Sequence, residues 1–204
     1  MGVTSYLDPV PSLVLGSSDL TLYEMVGAMN TFTNKGVYIE PIFITRIEDK
    51  SGNVLETFIP KQHEAMSEET AYLMLDLMKG VVEFGTGMRL RFKYKFENPV
   101  AGKTGTTNNH SDGWFMGLVP QLTTGVWVGC EDRAAHFRSL NLGQGANMAL
   151  PIWALYMRKV LEDTSLGFTK NDFDRPLQPL SVETDCDKYD KKKKYQNVND
   201  EDEF

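Results

Sequence analysis

Apolar residues along the chain recur at two spacings, every third or fourth position in some stretches and every second in others. Leu22, Met25, Val26, Met29 and Phe32 follow the helical spacing, which predicts a helix over residues 22–34. Thr21 and Glu24 form a capping box at its start, and Gly36 suits its C-terminal stop. Residues 39–59 are rich in Ile, Val, Phe and Thr around the polar turn at 49–53, which predicts a β-hairpin. Ser67 can cap a second helix carrying Tyr72, Leu73, Leu75, Leu77, Met78, Val81 and Val82, with Gly85 able to end it. Three short strand candidates follow at 99–107, 113–119 and 124–130, and their short connections make them antiparallel neighbours. A last helix is expected from Pro151, a residue suited to a first turn, onward through Ile152, Trp153, Leu155, Tyr156, Val160 and Leu161. The expected fold class is α+β, an antiparallel sheet flanked by helices.

The apolar pattern stops near residue 169. Residues 169–204 hold prolines, the lysine run 191–194 and the acidic run 200–203, a composition too poor in apolar area to offset ordering entropy. The expected organisation is one domain over residues 1–168 and a disordered tail over 169–204. The tail carries 7 basic and 10 acidic side chains of a chain whose formal charge is -7, so the rest is only mildly acidic. With no clustered excess of Lys and Arg, nucleic acid is excluded as an expected partner. No stretch approaches the ~18 apolar residues of a membrane helix. Cys130 and Cys186 are not spaced as metal ligands, and Cys130, in an apolar strand, is expected to be buried and free. His63, His110 and His136 have no partner pattern that suggests a metal, and no cofactor is expected.

Chemistry concentrates in Ala101-Gly102-Lys103-Thr104-Gly105-Thr106-Thr107, where a lysine, hydroxyls and glycines share one expected strand. Gly102-Lys103-Thr104 matches the end of a phosphate-binding loop, but that loop's first glycine would fall at Glu97 and a helix should follow. A turn and a strand follow instead, so the nucleotide reading fails. On strand geometry Lys103 and Gly105 project to one face and Thr104 and Thr106 to the other. Alone, the tripeptide Lys-Thr-Gly is equally compatible with a solvent-facing strand.

Its neighbours are more specific. Ala101 to Asn108, the strand Asp112-Gly113-Trp114-Phe115-Met116-Gly117 and Gly125-Val126-Trp127-Val128-Gly129 resemble class A penicillin-binding proteins, the bifunctional peptidoglycan synthases. Leu15-Gly16-Ser17-Ser18, Gly85-Thr86-Gly87 and Ala149-Leu150-Pro151-Ile152-Trp153 are similar to that family too, in the family's order. The resemblance covers roughly residues 5–160. It implies the C-terminal part of a transpeptidase domain with a penicillin-binding protein/serine β-lactamase-like fold. It also implies peptidoglycan stem peptides and β-lactams as partners. By the same resemblance Lys103 is a catalytic cation and Thr106 supplies an oxyanion-hole backbone N–H. Thr104, Gly105, Thr106 and Thr107 would bind substrate, the hydroxyls holding its carboxylate. Gly85, Thr86 and Gly87 either line the cleft, as the family implies, or form only a turn. Trp114, Phe115, Trp127 and Trp153 are assigned to the core.

The family also uses Ser-x-x-Lys and Ser-x-Asn. No serine here has a lysine three residues later, and Ser51-Gly52-Asn53 sits in the expected hairpin turn, where it is a decoy. The nucleophile, the remainder of the transpeptidase domain, the glycosyltransferase domain and a membrane anchor are therefore expected upstream. This places the chain at the extracytoplasmic, periplasmic face of the cell membrane and leaves it inactive alone. A serine β-lactamase or D,D-carboxypeptidase fragment, or a non-catalytic peptidoglycan-binding module, are the competing readings.

Overall fold

A computed structural model of the chain describes residues 1–185 and Lys188. It divides into two compact units, Met1–Asp174 and Arg175–Phe204. In the second unit the described residues 175–185 are bends and irregular chain, and Lys188 pairs with Glu183 and Asp185. Cys186 and the charged runs at 191–194 and 200–203 lie outside the described residues.

The first unit is built on a three-stranded antiparallel sheet, ordered β5 (Ala101–Thr106), β6 (Asp112–Val119), β7 (Leu122–Gly129). Before it come α1 (Leu22–Thr33), the short strands β1 (Val37–Ile39), β2 (Arg46–Glu48), β3 (Val54–Thr57) and β4 (Gln62–Glu64), then α2 (Glu68–Glu83) and α3 (Arg89–Phe92). After it come α4 (Leu140–Gly143) and α5 (Gly145–Glu162). The expected α+β class is the class found.

Side-chain alternation divides the sheet's residues between two layers. Phe115 and Val100 join Ala149, Leu150, Trp153 and Met157 of α5 in one buried cluster. Ala101, Met116 and Leu118 join Met29 and Phe32 of α1 and Ala71, Leu75 and Met78 of α2 in the other. The α1 start is the expected capping box: the Thr21 hydroxyl accepts from the Glu24 N–H, and the Glu24 carboxylate accepts from the Thr21 N–H. Glu24 also accepts from the backbone and hydroxyl of both Thr4 and Ser5, at 2.7 to 2.9 Å. Those bonds, the Ser5 hydroxyl's first, hold its carboxyl well below the usual carboxylate range.

Four expectations change. The hairpin expected at 39–59 is present but shorter, β2 with β3 around the turn, and a second ladder of β1 with β4 flanks it. Pro41 and Pro60 lie between them, and a proline cannot donate to a ladder. Helix α5 begins at Gly145 and holds Pro151 in its interior. A Cβ at Gly145 would overlap the carbonyl oxygens of Gly105 and Trp114, so the start of α5 is fixed by its backbone seating on the sheet. That seating outweighs the loss of one donor at Pro151. Cys130 is exposed, because it stands just beyond the end of β7. The first unit runs six residues past the expected boundary at 168. Phe173 is buried against the α1/α2 cluster, Asp172 accepts from Lys79 Nζ at 2.7 Å, and Asp174 pairs with Lys35 at 3.2 Å. One aromatic anchor is enough to dock a segment whose average composition is polar.

Candidate active site

Strand β5 is an edge of the three-stranded sheet. Its register pairs Lys103 with Met116, Thr104 with Phe115, Gly105 with Trp114 and Thr106 with Gly113. Thr107 N–H donates to the Asp112 carbonyl at 3.3 Å, so antiparallel alternation turns the backbone N–H and C=O of Thr104 and Thr106 away from β6, toward the open edge. Partner positions in an antiparallel pair share a face. Lys103 and Gly105 therefore share the α1/α2 face with Met116 and Trp114, and the Thr104 and Thr106 side chains share the α5 face with Phe115.

Beside the first of these faces, and reaching the β5 edge at Thr104 and Thr106, lies a cleft of about 710 Å³. Lys103, Thr104, Gly105, Thr106 and Thr107 form one wall. Leu22, Met25 and Met29 of α1 and Val14, Leu15, Gly16, Ser18, Asp19 and Leu20 border it too, so Leu15, Gly16 and Ser18 share one cavity with the Lys-Thr-Gly strand. Trp114, Trp127, Cys130 and Arg133 also border it. Trp127, expected in the core, is 41% exposed and half-lines the cleft, and Trp114 is only partly buried. Both stand on the sheet face opposite α5, which holds Trp153 and Phe115 fully buried as expected.

The charged groups of the cleft are mixed. Lys103 Nζ donates to the Thr104 carbonyl at 2.6 Å, and Arg133 pairs with Asp19 at 2.5 Å. Among the described residues the Asp112 Oδ1 and Ser18 Oγ atoms in the cleft's walls are buried without a hydrogen-bond partner. In the sequence Ser18 read only as part of Leu15-Gly16-Ser17-Ser18 and Asp112 only as the start of an aromatic strand.

The threonine hydroxyls have protein partners. Thr104 Oγ1 lies 2.6 Å from Thr86 Oγ1, which brings the Gly85-Thr86-Gly87 loop onto β5. Gly85 and Gly87 are both packed against the Val81 backbone, where a Cβ would be tight. Thr106 Oγ1 accepts from Gly145 N–H, the first residue of α5, at 3.0 Å. Thr107 Oγ1 accepts from Asp112 N–H at 3.0 Å and holds the turn that follows β5. That turn contains Asn109 and His110, both with positive φ. Ser51-Gly52-Asn53 is in the exposed turn between β2 and β3, its Asn53 amide bonded to Asp49.

The sequence profile of the penicillin-binding protein transpeptidase domain matches residues 9–133, more than half the chain. The chain belongs to that family. Curated relatives include penicillin-binding protein 1A of Aquifex aeolicus, 34% identical over 86% of this chain, and penicillin-binding protein 1B of Vibrio cholerae, 33% identical over 88%. In both cases the chain spans only 23% of the relative's length. The fold is similar to that of penicillin-binding protein 1A from Haemophilus influenzae, with a TM-score of 0.69 at 24% identity, covering 83% of this chain and 29% of that one. It is similar as well to PonA1 from Mycobacterium tuberculosis in complex with penicillin V, with a TM-score of 0.69 at 23% identity, covering 85% and 46%. The penicillin-binding transpeptidase fold expected from the sequence is thus the fold present. Among the described residues no helix is long and apolar enough to cross a membrane.

Proposed function

We propose that this chain forms the substrate-carboxylate wall of a peptidoglycan D,D-transpeptidase site. The observation that supports it most is the placement of Lys103, Thr104, Gly105 and Thr106 on an edge strand bordering the cleft, in a chain of the transpeptidase family. In this reading the Lys103 ammonium raises the positive potential of the cleft, and the Thr104 and Thr106 hydroxyls donate to the C-terminal carboxylate of a D-Ala-D-Ala stem peptide or of a β-lactam. Gly105 keeps the strand's cleft face free of side-chain bulk. The Thr106 N–H, turned to the open edge, is placed to donate to a developing oxyanion. Gly85, Thr86 and Gly87 support the strand from behind, and Thr107 holds its end.

The reaction is acyl transfer. A serine oxygen attacks the carbonyl of the penultimate D-alanine, the peptide C–N bond breaks, and D-alanine leaves with the proton. An amine of a second stem peptide then takes the acyl group and returns the proton to the serine. No Ser-x-x-Lys pair occurs in these 204 residues, so the serine of this chemistry is supplied from outside them. The same reading puts the site at the extracytoplasmic face of the membrane.

The test is labelling by a fluorescent penicillin on a denaturing gel. The 204-residue chain should stay unlabelled, and a longer chain that adds a Ser-x-x-Lys segment should be labelled. In that longer chain Lys103→Ala should slow acylation at least about a hundredfold. A band from the short chain that resists denaturation and is competed by unlabelled penicillin would show the nucleophile to be misplaced. Absence of labelling in both chains would favour a non-catalytic peptidoglycan-binding module.

A further inference from the structure

Two threonines on one strand can bind an anion only if their protons point at it, and a hydroxyl has a single proton with two acceptor lone pairs. On β5 each hydroxyl has a neighbour that addresses this choice. Gly145 N–H can only donate, so it occupies a lone pair of Thr106 Oγ1 and leaves that proton free to point elsewhere. Among the described residues no other hydrogen bond of the Thr106 hydroxyl is present, and Thr106 is exposed. The Thr86 and Thr104 hydroxyls, 2.6 Å apart, must share one proton between them, and either can be the donor. Thr104 is 9% exposed and Thr86 is exposed, so a proton placed outward by Thr104 needs its buried lone pair filled from Thr86.

We propose that Thr86 is a positioning residue that makes this strand selective for an ionised carboxylate. With no ligand, Thr104 can donate to Thr86. When a carboxylate arrives at the edge, Thr86 donates to Thr104 and Thr104 donates to the anion, so a two-bond chain replaces one bond and each bond polarises the next. Thr106, oriented by the start of α5, supplies the second donor. The pair then points both protons outward, which suits a carboxylate better than a C-terminal amide, whose N–H donors would face those protons. This rests on the carboxylate-wall reading above and adds what sets its selectivity.

The experiment uses the 204-residue chain and two probes, N-acetyl-D-alanyl-D-alanine and its C-terminal amide, with binding followed by NMR shifts of the threonine methyls. Wild type should bind the acid about tenfold more tightly than the amide or better, the size of one charge-assisted hydrogen bond. Thr86→Val should lower acid affinity about threefold with amide affinity unchanged. Thr86→Ser should restore the preference, and Thr86→Ala, which adds no branched side chain, should behave as Thr86→Val. Equal acid preference in wild type, Thr86→Val and Thr86→Ala would overturn the positioning role and leave the carboxylate wall standing. No acid preference in wild type would overturn the wall itself, and the positioning role with it.

Discussion

The two faces of the three-stranded sheet are built on opposite plans. Toward α5 the contact is close and dry: Gly145 seats against the Gly105 and Trp114 carbonyls, and Gly117 makes room for the Trp153 ring. Trp153 is fully buried, edge-on to Phe115 at 5.2 Å and tilted against Phe96 at 5.7 Å, and its indole N–H donates to Thr124 Oγ1 at 2.6 Å. Toward α1 the sheet presents Trp114, Met116 and Trp127 to an open cleft. The first face fixes the backbone that carries the Lys-Thr-Gly strand, and the second leaves that strand's neighbours accessible. The wall proposed here, which would hold hydrogen-bond donors within tenths of an ångström, would gain from one side packed dry and one side bordered by a cleft.

The sharpest way to break the rigid face is Trp153→Ala. Removing a fully buried indole and its hydrogen bond should destabilise the first unit by about 3–5 kcal/mol. Chemical denaturation would show it, and a loss under about 1 kcal/mol would mean that α5 does not clamp the sheet. Gly145→Ala should cost about 1–3 kcal/mol, because the added methyl meets carbonyl oxygens that cannot rotate away. It should also move the N–H that addresses Thr106, so acid-probe binding should weaken along with stability. Unchanged denaturation midpoints would show that α5 can withdraw from the strand at no cost.

Much of this contrast was legible before the structure, and the legible part is local. Thr21 with Glu24, and Ser67 ahead of α2, declare helix starts through their own side chains, and three runs of β-branched and aromatic residues declare the sheet. The strand carrying Lys103, Thr104, Gly105 and Thr106 was legible from its local pattern, and the roles proposed for them came from the resemblance of the segments around it. What stayed hidden is what two distant segments decide together. The start of α5 reads poorly as a helix in Gly145-Ala146-Asn147, yet it is set there by backbone contact with Gly105 and Trp114. The Thr86–Thr104 contact spans 18 residues, and Trp127 is apolar but falls on the face that nothing fully covers. Phe173 shows the reverse case, one buried side chain in a segment whose average composition is polar.

The face toward α1 has a titratable tether at its helix. Glu24 ties α1 to Thr4 and Ser5, and its folded pKa lies below the ordinary value of 4.5. A carboxylate with a depressed folded pKa contributes stability that is fully present above its unfolded pKa and is lost as pH falls toward the folded one. Stability should therefore decline below about pH 4.5, with amide exchange rising first at residues 4–5 and at the start of α1. In Glu24→Gln that pH dependence should be flattened and the loosening present already at neutral pH. A wild-type profile that is flat down to pH 3, or equally steep in the variant, would remove Glu24 from the account.

The smallest expected effect separates the two faces most cleanly. The chain has three tryptophans, of which Trp153 is fully buried, Trp114 partly buried and Trp127 41% exposed. Trp127→Ala removes a ring that is already half in water, so it should change stability by no more than about 1 kcal/mol, against the several expected at Trp153. Acrylamide quenching gives the independent readout. In wild type a readily quenched fraction should coexist with a protected one. Trp127→Ala should remove most of the quenched fraction, whereas Trp153→Phe, which keeps a ring in the rigid face, should remove the protected one. If Trp127→Ala left the quenching curve unchanged, the cleft would be closed in solution over that ring. The account of one sealed face and one partly open face would then have to give way to two sealed faces.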